Sequence, residues 1–144
     1  MKGKYLLAGQ VILFLILIYF SNFSLLFTNG FLLVLFALAV GLGLYSIYNM
    51  GFDTLSPFPE PKKGGKHVQE GAYKFMRHPM YTALIIFGLS FVLSSPELLN
   101  TITYLILIYI LDAKASYEEG FLIKIYPTYE VYLENTKKFI PFIY

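Results

Sequence analysis

Apolar residues form two long runs in the first third of the chain. The first run covers residues 5–27 with a mild interruption at Ser21 and Asn22, and the second covers residues 31–50 without any charged residue. A helix needs about 20 predominantly apolar residues to cross a hydrocarbon core roughly 30 Å thick. Both runs therefore predict transmembrane helices.

Two shorter apolar runs follow, over residues 80–93 and 97–111. Between them, Ser95 suits a helix cap, Pro96 suits the first helical position and Glu97 complements the helix dipole. This pattern predicts a tight helical hairpin whose helices extend past the membrane surface. The four runs together predict an all-α integral membrane protein with about four transmembrane helices, in which residues 1–144 form a single domain.

Helix-breaking residues are concentrated in the loop over residues 51–79. Three prolines and the Gly64-Gly65 pair disfavour helix there. The apolar side chains of the loop leave two interpretations open, a solvated connector and a lid over a pocket.

The C-terminal segment, residues 112–144, mixes charged and aromatic residues. The helix of the fourth run could continue to about Tyr126, because Pro127 disfavours helix in the residue before it. An amphipathic helix is predicted over residues 128–138. The apolar tail that follows is expected to return to the membrane interface.

Composition supports a membrane environment and excludes several kinds of site. The chain is 57% hydrophobic and 14% charged, whereas soluble domains carry about 25% charged residues. It contains no cysteine, so disulfides and thiolate metal sites are excluded, and no metal site is predicted. A formal net charge of +2 is too small to indicate nucleic-acid binding.

The basic residues predict the orientation in the membrane. All of them lie at the N-terminus, in the loop over residues 51–79 or after residue 111. The positive-inside rule then places the N- and C-termini and this loop in the cytoplasm. The N-terminal lysines and the first apolar run resemble a signal peptide, but a small-residue cleavage site is missing, so we expect the first span to be retained.

The scarce polar chemistry is concentrated in the sequence GAYKFMRHPMY, residues 71–81, which contains the only arginine, Arg77, and one of two histidines, His78. Pro79 would begin the third span, and the amides of that first turn carry partial positive charge and accept anions. The rings of Tyr73 and Tyr81 attract cations.

Glu118 and Glu119 can add carboxylates from the other arm of the hairpin. An anion site, aromatic faces and carboxylates together suit a zwitterionic ligand with a positive centre, such as S-adenosylmethionine. Structural roles remain open at this point. Arg77 could be an interfacial anchor that reaches lipid phosphates, His78 a helix cap, and the glutamate pair a solvated face.

Three blocks of sequence resemble the isoprenylcysteine carboxyl methyltransferase family, whose wider superfamily includes membrane phospholipid N-methyltransferases. The blocks are GAYKFMRHPMY, then EEGFL, then YPTYEVYLENTKKFIP, in the family's order and within residues 66–141. The resemblance implies an integral membrane methyltransferase that uses S-adenosylmethionine at the cytoplasmic face. It also implies a lipid or small amphiphilic acceptor from the bilayer.

Site residues carried over by the resemblance form two groups. The implied cofactor-binding residues are His67, Val68, Tyr73, His78, Pro79, Met80, Tyr81, Glu118 and Glu119. The implied catalytic candidates are Lys114, at a position where the carboxyl methyltransferases have a substrate-facing arginine, and His78 as a possible base.

Two departures bear on the acceptor. Lys114 keeps the charge of the family's arginine but loses its planar fork, which places a prenylcysteine carboxylate in doubt. The phospholipid enzymes have a Gly-x-Gly near the cofactor, and Gly41 and Gly43 could correspond to it, although small-residue helix packing is the favoured interpretation. A lipid amine and an isoprenylcysteine-like carboxylate both remain candidate acceptors.

Two other functions remain open. Membrane sterol and steroid reductases share a similar C-terminal organisation but bind NADPH, whose phosphates should require more basic residues than this chain provides. A non-enzymatic membrane scaffold is the third possibility.

Overall fold

The computed structural model describes residues 2–144, and within them it contains six α-helices and no β-strand, which confirms the all-α prediction. The helices are α1 (Lys2–Tyr19), α2 (Phe23–Thr28), α3 (Gly30–Met50), α4 (Pro79–Ser94), α5 (Leu98–Ile125) and α6 (Tyr129–Asn135). A single 3₁₀ turn lies at Gly71–Lys74.

Three helices, α1, α3 and α5, are long and apolar enough to cross a membrane, and α4 is a shorter apolar helix of 16 residues. Their outward side chains are largely apolar, as in Leu15, Leu38 and Leu105, each at least 60% exposed. Such a surface suits lipid rather than water. A fourth span formed by α4 stays a prediction.

The first predicted span, residues 5–27, is divided into α1 and α2. Asn22 caps α2, because its side chain accepts a hydrogen bond from the Leu25 amide at 3.0 Å. An N-cap residue is non-helical, so the chain turns at residues 20–22 instead of continuing as one helix.

The predicted caps between α4 and α5 were wrong by two residues. Ser95 ends α4 instead of starting α5, and Glu97 takes the N-cap position of α5 without a side-chain cap bond. The prediction that α5 continues far past the apolar run was confirmed, since it ends at Ile125. The C-terminal helix is shorter than the predicted residues 128–138 and covers Tyr129–Asn135.

Helix α4 contacts α1, α2, α3 and α5. Tilted aromatic rings pack between α4 and its neighbours: the ring centroid of Phe87 on α4 lies 5.1 Å from that of Phe36 on α3 and 6.0 Å from that of Phe14 on α1. Small residues allow close approach, because a Cβ at Gly88 would lie 3.2 Å from Tyr104. A Cβ at Gly43 would lie 3.6 Å from the Ala83 side chain on α4, whereas a Cβ at Gly41 would meet nothing within 4 Å.

Asn100 joins the turn after α4 to the end of α1. Its side chain is fully buried, and its amide donates to the carbonyls of Phe20 at 3.2 Å and Ser95 at 2.9 Å. Polar contacts of this kind between membrane helices contribute about 0.6 kcal/mol on average.

We expect Asn100→Ala to lower the free energy of unfolding by about 1 kcal/mol, since two such bonds are lost. Thermal unfolding in detergent measures the effect. The matched control is Asn135→Ala, because Asn135 is exposed and donates only within α6, to Val131. Equal melting temperatures for the two variants would contradict a stabilising role for the Asn100 hydrogen bonds.

Candidate active site

A cavity lies at the end of the helical bundle away from the turn between α4 and α5. Its walls come from the loop before the 3₁₀ turn, from that turn, from the start of α4, from the last third of α5 and from α6. The cavity volume is about 80 Å³. Loop residues such as Thr54, Phe58 and Lys62 form part of its lining, so the loop covers the cavity as a lid does.

Aromatic side chains dominate this cavity. Six rings line it, from Phe58, Tyr73, Tyr81, Tyr126, Tyr129 and Tyr132. The pKa values of Tyr73, Tyr129 and Tyr132 are raised above the ordinary value for tyrosine, mainly because burial disfavours the charged phenolate. These three phenols therefore stay neutral, and their rings offer electron-rich faces to a cation.

Seven of the predicted site residues line the cavity: His67, Val68, Tyr73, His78, Met80, Tyr81 and Glu118. Three others do not, namely Pro79, Lys114 and Glu119. Pro79 is buried in the first turn of α4, as its fixed φ and missing amide hydrogen favour.

Glu118 is the one carboxylate among the cavity-lining residues. Its Oε2 accepts a hydrogen bond from the Tyr81 hydroxyl at 2.8 Å and lies 3.9 Å from His78 Nδ1. The His78 ring also stacks on Tyr81, with centroids 5.3 Å apart and planes 10° from parallel. Glu118 thus presents a negative charge that its neighbours hold in one orientation.

Glu119 points to the opposite side and holds two basic groups. Its Oε1 lies 2.7 Å from Arg77 Nε and 3.0 Å from His78 Nε2. The Arg77 guanidinium also donates to the carbonyl oxygens of Leu133 and Thr136. Arg77 is therefore an internal clamp between α5 and the C-terminal segment, and not the interfacial anchor that the sequence left open as an alternative.

Backbone hydrogen bonds extend this clamp to the residues that follow α6. The amides of Arg77 and His78 donate to the carbonyls of Lys137 at 2.8 Å and Lys138 at 3.0 Å. The Tyr132 hydroxyl donates to the carbonyl of Tyr73. These bonds press α6, with its two cavity-lining tyrosines, against the start of α4.

Lys114 lies behind the cavity wall. Its side chain is almost fully buried, its Nζ donates to Gln10 Oε1 on α1 at 2.9 Å, and it stands 5.2 Å from the centre of the Tyr81 ring. The Lys114 ammonium therefore lies over the face of a ring that lines the cavity. Contact with a substrate stays a prediction for this residue.

His67 sits among three tyrosine rings, from Tyr126, Tyr129 and Tyr132, at centroid distances of 4.9–5.4 Å. Its Nδ1 pairs with Gln69 Nε2 at 3.0 Å, which makes Nδ1 the acceptor and leaves the proton on Nε2. Burial lowers the pKa of His67, so the ring is neutral at neutral pH. The Nε2 atom is buried without a partner, and a buried unpaired donor calls for a ligand acceptor.

Sequence reasoning missed several cavity-lining residues of the lid, such as Thr54 and Lys62, and the three C-terminal tyrosines. The lid residues lie in an irregular segment, where periodicity carries no information. The tyrosines were visible as one face of an amphipathic segment, but that pattern does not distinguish a cavity wall from a packing surface.

A search of curated proteins found no match to this chain. The sequence model of the family described as phospholipid methyltransferase matches residues 25–129, which extend from α2 to the first residue of α6 and include both the start of α4 and Glu118. Since this match covers well over half of the sequence, the chain belongs to the phospholipid methyltransferase family.

Proposed function

We propose that the protein transfers the methyl group of S-adenosylmethionine to an amphiphile embedded in the membrane, at the cytoplasmic face. The observation that carries the proposal is the lining of the cavity, in which Glu118 and six tyrosine and phenylalanine rings surround one space. The carboxylate and the neutral ring faces attract a sulfonium centre, and Lys62, Lys66 and Arg77 in the same lining offer positive charge to the carboxylate of a zwitterionic ligand. The family points to the same reaction class.

The cavity residues fit this cofactor. The buried Nε2–H of His67, without a partner in the protein, can donate to a ring nitrogen or hydroxyl of the ligand. The Tyr126, Tyr129 and Tyr132 rings around it can stack on a flat heterocycle. Glu118 would hold the cationic end at the start of α4. When bound, S-adenosylmethionine supplies an electrophilic methyl group.

At the α5 wall of the cavity the charges suit a lipid amine better than a carboxylate, whereas the lid contributes two lysines, Lys62 and Lys66. Arg77 is neutralised by Glu119, and Lys114 is buried against Gln10. The cavity wall at α5 therefore offers the negative charge of Glu118 without a free guanidinium to pair with a carboxylate. The family's description, phospholipid methyltransferase, agrees with a lipid acceptor.

The chain's own residues would contribute alignment and proton removal. An amine nitrogen attacks only after its ammonium form has lost a proton, and Glu118 and His78 are the groups in the cavity that can accept it. The deprotonated nitrogen would then be ready to accept the methyl group that bound S-adenosylmethionine would supply. Catalysis rests mainly on holding the two centres in line, while the lid and α6 exclude water.

Methyl transfer is tested with purified protein in nanodiscs, labelled methyl donor, and two acceptors: a phospholipid with a primary amine headgroup and a prenylated cysteine. We expect the labelled methyl group on the nitrogen of the amine lipid, from which treatment with base does not release it. Base-labile label on the prenylated cysteine would instead identify a carboxylate acceptor. Saturable NADPH binding without binding of S-adenosylmethionine would overturn the proposal in favour of a reductase.

A further inference from the structure

The chain after α6 ends in a compact apolar turn, residues 139–144. Phe139 is buried, but the next apolar side chains point outward: Phe142 is 85% exposed and Ile143 is 75% exposed. The turn is closed on itself, because the amides of Phe139 and Ile140 both donate to the Tyr144 carbonyl. Phe142 has φ of 66°, a conformation uncommon outside glycine. A closed turn thus presents large apolar groups that the rest of the chain does not cover.

Contacts with α4 and α5 show where this turn lies along the length of the helical bundle. Asp112, just after the apolar run of α5, pairs with Lys138 at 2.5 Å and accepts a hydrogen bond from the Tyr144 hydroxyl at 3.2 Å. The hydroxyl of Thr82, in the first turn of α4, donates to the Phe139 carbonyl at 2.8 Å. The turn therefore lies beside the polar ends of the two apolar helices, where hydrocarbon gives way to headgroups.

We propose that residues 139–144 are an interfacial anchor that inserts into the same leaflet as the ends of α4 and α5. Leu105 and Tyr109 are exposed and lie two turns and one turn before Asp112 on the same face of α5, so lipid-facing side chains precede the level at which Asp112 contacts the turn. Lys137 precedes the turn and suits anionic headgroups. Four exposed side chains are too few for a stable interface with a second protein, which buries about 1,200–2,000 Å².

The anchor is joined to the cavity wall. From Phe139 the chain leads directly back through Lys138 and Lys137, whose carbonyls are held by His78 and Arg77, to α6 and its cavity-lining tyrosines. Insertion of the turn into the bilayer therefore holds in place the wall of the cavity that α6 forms. The proposal concerns membrane contact only, so its test requires no methyl donor.

The chain contains no tryptophan, so Phe142→Trp introduces a single fluorescent reporter at an exposed position. In nanodiscs whose lipids are brominated on the acyl chain near the ester, we expect this tryptophan to lose about half of its emission, as for a side chain at the headgroup boundary. The matched control is Ile125→Trp, which is 52% exposed at the last residue of α5. That residue lies about 20 Å beyond Asp112 along the helix, so its emission should not change.

An aqueous quencher completes the test. Quenching of the Phe142→Trp reporter by iodide as strongly as the control, without quenching by brominated lipid, would place the turn in water and overturn the proposal. Protection from both quenchers would indicate a protein contact and would overturn it as well. The emission of each reporter without quencher, in the folded and denatured states, verifies that the variants fold.

Discussion

Glu118→Gln is expected to weaken S-adenosylmethionine binding by about 10- to 100-fold, because a hydrogen bond or contact to a charged group contributes about 1.5–3 kcal/mol. The glutamine has the same shape, and its amide oxygen can still accept the hydrogen bond from Tyr81, whose hydroxyl lies 2.8 Å from the carboxylate. The variant therefore removes the negative charge while leaving the wall intact. Isothermal titration of the detergent-purified protein measures the change.

The control for this variant is Glu134→Gln, which makes the same chemical change at an exposed position of α6. It should bind the cofactor as the parent protein does and should have the same melting temperature. If Glu118→Gln binds with unchanged affinity, the carboxylate does not face the cationic centre of the ligand. The arrangement proposed for the cavity would then be wrong.

Arg77→Ala is expected to lower the free energy of unfolding by about 3 kcal/mol, the lower end for a broken buried ion pair, because the Glu119 carboxylate keeps only its 3.0 Å contact with His78 Nε2. The Glu119 carboxylate would lose its 2.7 Å contact with Arg77 Nε, and two carbonyls of the C-terminal segment would lose their donor. Thermal unfolding measures the loss. Trypsin should also cleave the variant faster after Lys137 and Lys138, because the clamp no longer holds that segment.

Two further variants separate the clamp from a general effect of charge. Lys74→Ala removes a nearby exposed cation and should leave stability and proteolysis unchanged. Arg77→Lys keeps the charge but loses the planar fork, so it should fall between the parent and Arg77→Ala. An Arg77→Ala variant as stable as Lys74→Ala would show that the clamp does not support the fold.

The two neighbouring glutamates illustrate how far the sequence leads. Successive residues of a helix point about 100° apart, since one turn contains 3.6 residues, so Glu118 and Glu119 need not face the same cavity. The sequence indicated that both belonged near the start of α4. Only the packed structure shows that Glu118 lines the cavity while Glu119 binds Arg77 and His78.

The lid and the clamp also depend on contacts between distant parts of the chain. The prolines of residues 51–79 predicted an irregular loop, but the loop lines a cavity because its partner surfaces come from α5 and α6. Arg77 appeared to be an anchor for lipid phosphates because it stands next to an apolar run. Its acceptors, the carbonyls of Leu133 and Thr136, lie more than 50 residues away in the chain and carry no signal near Arg77 itself.

The sequence by itself determined the helical class, the apolar segments and the clustering of polar groups near the start of α4. These properties follow from local composition and from the length of helix that a bilayer requires. The break between α1 and α2, the position of α6 and the direction of each polar side chain were decided by tertiary structure. Buried polar groups must find partners, and which partners are within reach depends on how the helices pack.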